Sequence, residues 1–333
     1  MKVEQEWLTN SEIISWLLED SNPSVKYWTL KDILEKNEVN PQVIEARENV
    51  MASECVLSLL TSQIENKYWE KLNDMYNPKY RATTHTLLIL AELGAKPILR
   101  IQNALEYLFQ FQRDSGHFWM DLPKSAKGKA SILTDGCCVD GNILTYLALF
   151  GYQNSDTVQR LLNFLETKYD RQNTGWRCRA YSGDSNRLFP INCYMGRINV
   201  LKGLSFLNPN KLSKEMKSII DIEVEQILKN QIWKYLKFPD GSRKEKRGWT
   251  KFGFPLFYNS DILEVLDILT RLGIKDDRMS DAIDLVISKQ KKDGKWYLEN
   301  SFNGKMNCTI EELHKPSKWI TLRALRVLNR YQN

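Results

Sequence analysis

Two stretches with one shared pattern decide the fold of this chain: QRDSGHFW at residues 112–119 and QKKDGKW at residues 290–296. Each begins with Gln and ends with a Trp that follows a Gly by two or three positions. Shorter versions end at Trp176, at Trp249 and, without the Gly, at Trp69. Trp69 and Trp296 are 227 residues apart (296 − 69), or about 57 residues for each of four steps. A unit of that length holds two helices and their connections, and the Trp side chains are expected to plug the turns between hairpins.

The segments between these Gly–Trp marks have the spacing of amphipathic helices. Apolar residues recur at i, i+3 and i+4 along 87–93, 143–150 and 262–272. A glycine, the usual residue just past a helix end, follows each of the three: Gly94, Gly151 and Gly273. The alternation typical of strands is missing from the sequence, so the pattern predicts an all-α fold of helical hairpins. Stacked hairpins form either an open solenoid or a closed ring, and the pattern fits both.

The composition is that of an ordinary soluble globular protein. Of 333 residues, 42% are hydrophobic and 26% charged, and the 36 aromatic residues (10 Trp, 14 Tyr, 12 Phe) supply a large core. The net charge of +6 (47 − 41) is too small to predict nucleic-acid binding. No apolar run approaches the about 18 residues of a membrane span, and the polar start lacks a signal peptide. Six cysteines without a Cys-x-x-Cys pair favour a reducing, cytoplasmic setting.

The repeated marks resemble the Gln–Trp repeats of the terpenoid cyclase and protein prenyltransferase superfamily. Three further stretches are similar to an uncharacterised prokaryotic group within it: NPSVKY (22–27), FPLFYNSDIL (254–263) and PSKWITLRAL (316–325). The resemblance implies a single α/α toroid of about six helical hairpins over residues 1–333, with 1–40 as an N-terminal capping hairpin. The Asp-x-Asp-Asp motif of triterpene cyclases is missing, and its nearest counterpart is DGCCVD at 135–140.

A prenyltransferase-like stretch suggests a metal site. The family sequence Gly-Arg-x-x-x-Leu-Val-Asp-Gly-Cys resembles GKASILTDGC at residues 128–137. The resemblance implies metal-ligand roles for Asp135 and Cys137, and Zn²⁺ is the ion that such ligands favour. Cys138 and Cys193 are further thiolate candidates for the same site. The His ligand of the family has no counterpart at the matching place.

The repeats themselves predict a polar ring in the centre of a toroid. Cys138 and Cys193 begin two copies of Cys-x-x-Gly-x-Ile that are 55 residues apart (193 − 138). Aligning the repeats puts polar residues at one level of four successive inner helices: His85, Asn142, Arg197 and Asp261. Buried polar residues are costly unless they are paired or used, so this ring is a candidate catalytic site. Asp140, in the DGCCVD stretch, joins the candidate catalytic residues.

Each ring residue has a catalytic and a structural interpretation. If the ring is a catalytic site, His85 is the proton shuttle or a metal ligand, and Cys138 and Cys193 are metal ligands or a nucleophile. In the same interpretation Arg197 holds an anion, and Asp261 acts as an acid or stabilises a cation. As structure, His85 is a core residue, the Cys-x-x-Gly-x-Ile copies allow close helix packing, and Arg197 forms an ion pair with Asp261.

Two functions follow from these observations. In the first, a toroid related to terpenoid cyclases and prenyltransferases binds an isoprenoid, an isoprenoid diphosphate or another apolar small molecule in its central cavity, and cyclises or transfers it. In the second, the chain is a non-catalytic helical-repeat protein that binds a peptide, a protein or a ligand. The polar ring favours the first function, and the missing Asp-x-Asp-Asp favours the second.

Overall fold

The computed structural model describes residues 11–122, 136–176, 193–234, 236–237, 243–246 and 248–332, and their secondary structure is almost entirely helical. This confirms the all-α prediction. The α-helices of these residues are α1 (Ser11–Leu17), α2 (Pro23–Asp32), α3 (Pro41–Ala52), α4 (Glu54–Thr61), α5 (Thr83–Glu92), α6 (Leu99–Phe109), α7 (Cys137–Leu149), α8 (Asp156–Thr167), α9 (Tyr194–Ser205), α10 (Lys214–Lys229), α11 (Ile262–Arg271), α12 (Ser280–Ser288) and α13 (Lys318–Gln332). Two short antiparallel hairpins pair β1 (Tyr169–Asp170) with β2 (Gly175–Trp176) and β3 (Leu236–Lys237) with β4 (Arg243–Lys244).

Six helices form a closed inner ring, in the order α2, α5, α7, α9, α11 and α13. Helix α5 packs on α7, α7 on α9, α9 on α11 and α11 on α13, and α13 returns to α2. The indole Nε1 of Trp28 in α2 donates to the backbone oxygen of Glu92 in α5 at 2.8 Å and completes the ring. The predicted single ring of about six hairpins is confirmed. The capping role of residues 1–40 and the domain assignment 1–333 stay predictions, and α2 belongs to the inner ring.

Three of the Trp marks connect an outer helix to the turn that follows it. The indole Nε1 of three marks donates to a carbonyl near the end of the preceding outer helix: Trp69 to Leu59, Trp176 to Leu165 and Trp296 to Val286, at 2.7–2.8 Å. Gln side chains close two of the turns, because Gln112 Nε2 donates to Gly116 O at 2.7 Å in the mark that ends at Trp119, and Gln290 Nε2 donates to Gly294 O at 2.9 Å in the mark that ends at Trp296. The structural interpretation of these Trp residues is therefore confirmed for these three marks.

Close contact between α7 and α9 explains the Cys-x-x-Gly-x-Ile copies. A Cβ on Gly141 would lie 2.3 Å from the carbonyl carbon of Asn199, which is a clash. A Cβ on Gly196 would lie equally close to the sulfur of Cys137. Only glycine lets the two backbones approach this far, so the small residues serve helix packing.

One covalent link joins distant parts of the chain. Cys55 at the start of α4 forms a disulfide with Cys308, 253 residues later in the sequence. The expectation of reduced cysteines is not met at this pair, because spacing along a sequence does not reveal which distant cysteines the fold brings together. Among the helices described here, none has the length and apolar character to cross a membrane.

Candidate functional site

Arg197, the predicted anion-binding residue, forms an ion pair with a residue of the outer helix α10. Its Nε contacts a carboxylate oxygen of Glu223 in α10, and both side chains are buried. Its Nη2 donates to the backbone oxygen of Thr174 at 3.2 Å, and the hydroxyl of Tyr169 donates to the second oxygen of Glu223 at 2.6 Å. Arg197 thus forms a structural ion pair, but its partner is Glu223 rather than Asp261.

Asp261 is the N-terminal cap of α11. Its carboxylate accepts hydrogen bonds from Glu264 N at 2.7 Å and from Gly253 N at 2.9 Å. Burial raises the pKa of Asp261 to about 7, although the positive charge of Arg323 opposes the shift. Asp261 lies twelve residues before Gly273, whereas His85 and Asn142 each lie nine residues before the glycine that ends their helix, Gly94 and Gly151. It therefore sits before the helix begins, rather than at the level of Asn142.

His85 lies near the start of α5 in a cluster of aromatic rings. Its ring is 4.9 Å from that of Tyr76, 5.6 Å from Phe257 and 5.9 Å from Tyr80, measured between centroids. Burial, together with the charge of Lys79, lowers the pKa of His85 to about 3, so the imidazole is neutral at pH 7. Its Nδ1 has no hydrogen-bond partner in the described part of the chain.

The remaining predicted residues divide between helix packing and polar contacts. The carboxylate of Asp140 accepts a hydrogen bond from Phe118 N at 3.2 Å and lies 3.0 Å from Nδ1 of His117. These contacts connect α7 to the turn at residues 112–119. Asn142 is buried, and its Oδ1 has no hydrogen-bond partner within the described ranges. Cys138 is also buried in α7. The convergence of these residues on one pocket stays a prediction.

The predicted zinc ligands do not form a metal site among the residues that the structure describes. Asp135 lies outside these residues. No group of three His, Cys, Asp or Glu side chains within the described ranges has the arrangement of a metal site. Cys137 is packed against Gly196 between α7 and α9, and Cys193 is the residue before α9 begins. We therefore derive no chemical step through zinc.

A different set of charged residues lines the middle of the toroid. This inner chamber is a cavity of about 40 Å³, and side chains from all six inner helices reach it. Its lining residues are Trp28, Asp32, Glu92, Leu149, Lys202, Ser205, Phe206, Phe254, Glu264, Asp267, Ile268, Arg271, Trp319, Arg323 and Arg326. None of the predicted site residues is among them.

Lys202 of α9 is the centre of an ion-pair network in this chamber. Its Nζ contacts Glu92 of α5 and lies 2.9 Å from Oε1 of Glu264 of α11. All three side chains are buried. Burial alone lowers the pKa of Lys202, but the two carboxylates outweigh it and raise the pKa above its usual value. The ammonium therefore stays charged and ties three inner helices together.

A second group of ion pairs extends the network to α13 and α2. Asp267 contacts Arg271 at 3.3 Å and Arg330 at 2.7 Å, and Arg326 contacts Asp32 at 2.5 Å. Burial raises the pKa of Asp267, but the neighbouring guanidinium groups outweigh burial and hold the pKa well below its usual range. The chamber thus carries charges of both signs in a buried setting.

An outer cavity of about 620 Å³ opens next to the inner chamber, at the C-terminal ends of the inner helices. The two cavities share Trp28, Asp32, Leu149, Phe206 and Arg271. The other lining residues of the outer cavity are Tyr27, Lys31, Glu38, Ile44, Arg47, Ala91, Gly94, Ala95, Lys96, Pro97, Ala148, Phe150 and Gly151. The outer cavity therefore has an apolar wall, four cationic side chains and the two carboxylates of Asp32 and Glu38.

The sequence contains a pattern that points to the charged residues of the inner chamber, namely their distance from the glycine that ends each helix. Glu92 and Arg271 each lie two residues before the glycine that ends an inner helix, Gly94 and Gly273. Glu264 lies nine residues before Gly273, at the level where α5 has His85. Aligning α5, α7 and α11 on their terminal glycines would have placed Glu264 in the ring instead of Asp261.

Comparison with known proteins gives fold-level likeness at low identity. No family model and no curated protein match the chain. An unsaturated glucuronyl hydrolase specific for heparin is 13% identical over 93% of this chain and 85% of its own, with a TM-score of 0.48. A variant of the type II terpene cyclase MstE from Scytonema, in complex with geranylgeranyl dihydroxybenzoate, is 13% identical over 98% and 87%, with a TM-score of 0.45. A protein from Actinoplanes is 12% identical over 93% and 90%, with a TM-score of 0.44. The contacts among its own helices make this chain an α/α toroid.

Proposed function

We propose that the outer cavity binds an amphiphilic anion of the isoprenoid diphosphate class. The observation that carries this proposal is the combination of an apolar wall and four cationic side chains in one cavity of about 620 Å³. Ligand pockets of about 300–1,000 Å³ usually bury most of a small molecule. A purely apolar ligand would make no contact that uses the charge of these cations, and a purely polar one would leave the apolar wall exposed to water.

The apolar wall suits a prenyl chain. It is built from the rings of Tyr27, Trp28 and Phe206 together with small aliphatic side chains. The rings of Tyr27 and Trp28 lie 4.9 Å apart, edge to face. Each methylene group moved from water to such a wall contributes about 0.8 kcal/mol, so a chain of fifteen carbons supplies much of the binding energy.

The cations suit a diphosphate head group. Lys31 contacts Glu38, Arg47 lies 3.7 Å from the same carboxylate, and Lys96 contacts the exposed Glu48. Ion pairs with exposed carboxylates contribute about 0–1 kcal/mol, whereas a diphosphate offers several charged oxygens at once. A head group can therefore replace these carboxylates at small cost.

Prenyl transfer or cyclisation is the enzymatic function that this binding mode would serve. Non-catalytic binding is the second candidate. The observation that favours it is that the charged groups of the inner chamber are already held in ion pairs, Lys202 with Glu92 and Asp267 with Arg271. Groups already held in ion pairs are less available for chemistry than free ones. Turnover separates the two candidates, and binding alone does not.

Calorimetric titration with three ligands tests the proposal: farnesyl diphosphate, farnesol and inorganic diphosphate. We expect farnesyl diphosphate to bind at least tenfold more tightly than either fragment, because head and chain contribute together. Lys31→Ala and Arg47→Ala should each weaken its binding about tenfold, or ~1.4 kcal/mol. Lys234→Ala is the matched control, since Lys234 forms a comparable exposed pair with Asp281 and does not line either cavity. Equal affinity for farnesol and farnesyl diphosphate would refute the proposal.

A further inference from the structure

A third cavity, of about 250 Å³, lies at the other end of the inner helices from the outer cavity. It borders Met195 in the first turn of α9 and Ser260 just before α11, whereas the outer cavity borders Phe206 and Arg271 at the ends of the same helices. Lys246 is the only charged side chain among the described residues that line the third cavity, so we call it the lysine cavity. Within the described part of the chain, it shares no lining residue with the inner chamber or the outer cavity.

Two aromatic rings hold the ammonium group of Lys246 at the wall of this cavity. Its Nζ lies 4.0 Å from the ring centroid of Tyr194 and 4.6 Å from that of Trp249. The two rings are 5.2 Å apart and nearly perpendicular, and each attracts the cation through its π face. The backbone is fixed as well, because Lys246 N donates to Trp233 O at 3.0 Å and Ile262 N donates to Trp249 O at 2.9 Å. Contacts within the protein therefore set the position of the cation.

The positive charge of Lys246 has no anionic partner among the described residues. Its Nζ makes neither an ion pair nor a hydrogen bond with any of them, whereas Lys202 is paired with two glutamates and Lys31 with Glu38. Burial lowers the pKa of Lys246 to about 8, with Cys193 opposing the shift, so the group is still mostly an ammonium at pH 7. A partly buried charge is costly unless an opposite charge compensates it. An anion in the lysine cavity would supply that compensation.

The other lining residues indicate which anion fits. One cation balances one negative charge, and the side-chain amides of Asn259 and Asn300, which hydrogen-bond to no other described residue, offer N–H donors beside it. A carboxylate has two oxygens, so it can accept from the ammonium and from an amide at once. Phe302 and Met195 add an apolar surface to the same cavity. At ~30 Å³ for each water-sized group, about 250 Å³ holds about eight non-hydrogen atoms.

We propose that the lysine cavity binds a small carboxylate with an apolar tail of about five carbons. One carboxylate oxygen contacts Nζ of Lys246, the amide of Asn259 or Asn300 donates to the other, and the tail packs on Phe302 and Met195. The positive ends of the dipoles of α9 and α11 border the cavity and favour the same charge. This site is separate from the outer cavity and does not depend on the proposed function.

Site-resolved acetylation of the wild-type protein tests this proposal with two ligands, hexanoate and hexanamide. The two have the same number of non-hydrogen atoms and differ in charge. An N-hydroxysuccinimide acetate reacts with Lys246 only while its amine is uncharged and uncovered, and peptide mass spectrometry at pH 7.5 gives the rate. Hexanoate should slow the acetylation of Lys246 at least about fivefold at saturation, and at a concentration at least about tenfold lower than hexanamide needs. Lys234, in its exposed pair with Asp281, should react at an unchanged rate. Equal protection by both ligands, or protection by neither, would overturn the inference.

Substitutions assign the binding to Lys246 and separate it from the outer cavity. Ligand binding to the variants is measured by saturation-transfer NMR in a Lys31→Ala, Arg47→Ala background, which weakens anion binding in the outer cavity. In that background Lys246→Met should lose the preference for hexanoate over hexanamide, and Lys246→Arg should keep it. Lys251→Met is the matched control, because Lys251 is exposed in the same segment and does not line the lysine cavity. Circular dichroism melting shows whether each variant folds. A preference for hexanoate that persists in folded Lys246→Met would overturn the inference and leave the proposed function untouched.

Discussion

Replacing Lys202 by Met tests whether the ion-pair network holds the toroid together. The substitution keeps a long side chain but removes the ammonium that contacts both Glu92 and Glu264. Two buried carboxylates, from α5 and from α11 across the ring, then face each other without that cation. Breaking a buried ion pair by removing one partner typically costs about 3–5 kcal/mol.

The surroundings of Lys202 place the expected loss near the lower end of that range. Lys202 is 5% exposed, and the two carboxylates are 9% and 2% exposed, so water screens the pairs poorly. Arg323, however, lies close enough for its charge to act on both Glu92 and Glu264. It remains in the variant and compensates in part. We therefore expect a loss of about 3 kcal/mol in the free energy of unfolding.

Urea unfolding followed by far-ultraviolet circular dichroism measures this free energy. Lys234→Met is the matched control, because its exposed pair with Asp281 should contribute less than about 1 kcal/mol. The triple variant with Lys202→Met, Glu92→Gln and Glu264→Gln should recover at least half of the loss, since it removes the unpaired charges. A loss in Lys202→Met no larger than in the control, or a triple variant no more stable, would refute the reasoning.

Three further predictions concern a carboxyl group, a glycine and the disulfide. Burial raises the pKa of Asp261 to about 7, so wild-type stability should fall as pH rises from about 4 to about 7, and urea unfolding of Asp261→Asn at pH 5 and pH 8 should show a fall smaller by up to about 2.7 kcal/mol, or about 1.36 kcal/mol for each of the two pH units from 5 to 7. Gly141→Ala places a methyl group 2.3 Å from the carbonyl carbon of Asn199 and should cost about 1–3 kcal/mol in the same assay. Cys308→Ser opens the link to Cys55 and should cost about 2–4 kcal/mol, and dithiothreitol should lower wild-type stability by a similar amount without affecting the variant.

Local residue chemistry made the fold predictable. Gly94, Gly151 and Gly273 each follow an inner helix and have a positive φ, between 78° and 88°. Trp69 and Trp296 bind the helices before them, as expected of turn plugs. Such signals lie within a few residues of the feature they specify, so they can be recognised in the sequence without knowledge of distant contacts.

Partners from distant helices made the site harder to predict. Arg197 has the residue type of an anion-binding group, but Glu223 on the next outer helix neutralises it. Glu92 and Lys202 are 110 residues apart (202 − 92), and nothing in either helix alone indicates that they meet. A polar residue inside an apolar helix signals that a partner exists, and only the packing of the ring identifies that partner.

The positions of the basic residues within their helices connect the stability of the ring to the proposed binding of an anion. Lys31, Lys202 and Arg271 lie in the last turns of α2, α9 and α11. A base there is favoured by the negative end of the helix dipole. The same ends of the inner helices border the inner chamber and the outer cavity. The helix dipoles therefore hold these cations at the cavity walls. Lys202 and Arg271 keep buried carboxylate partners, whereas Lys31 is paired with the exposed Glu38, so under the proposed function an anionic ligand displaces Glu38 from Lys31.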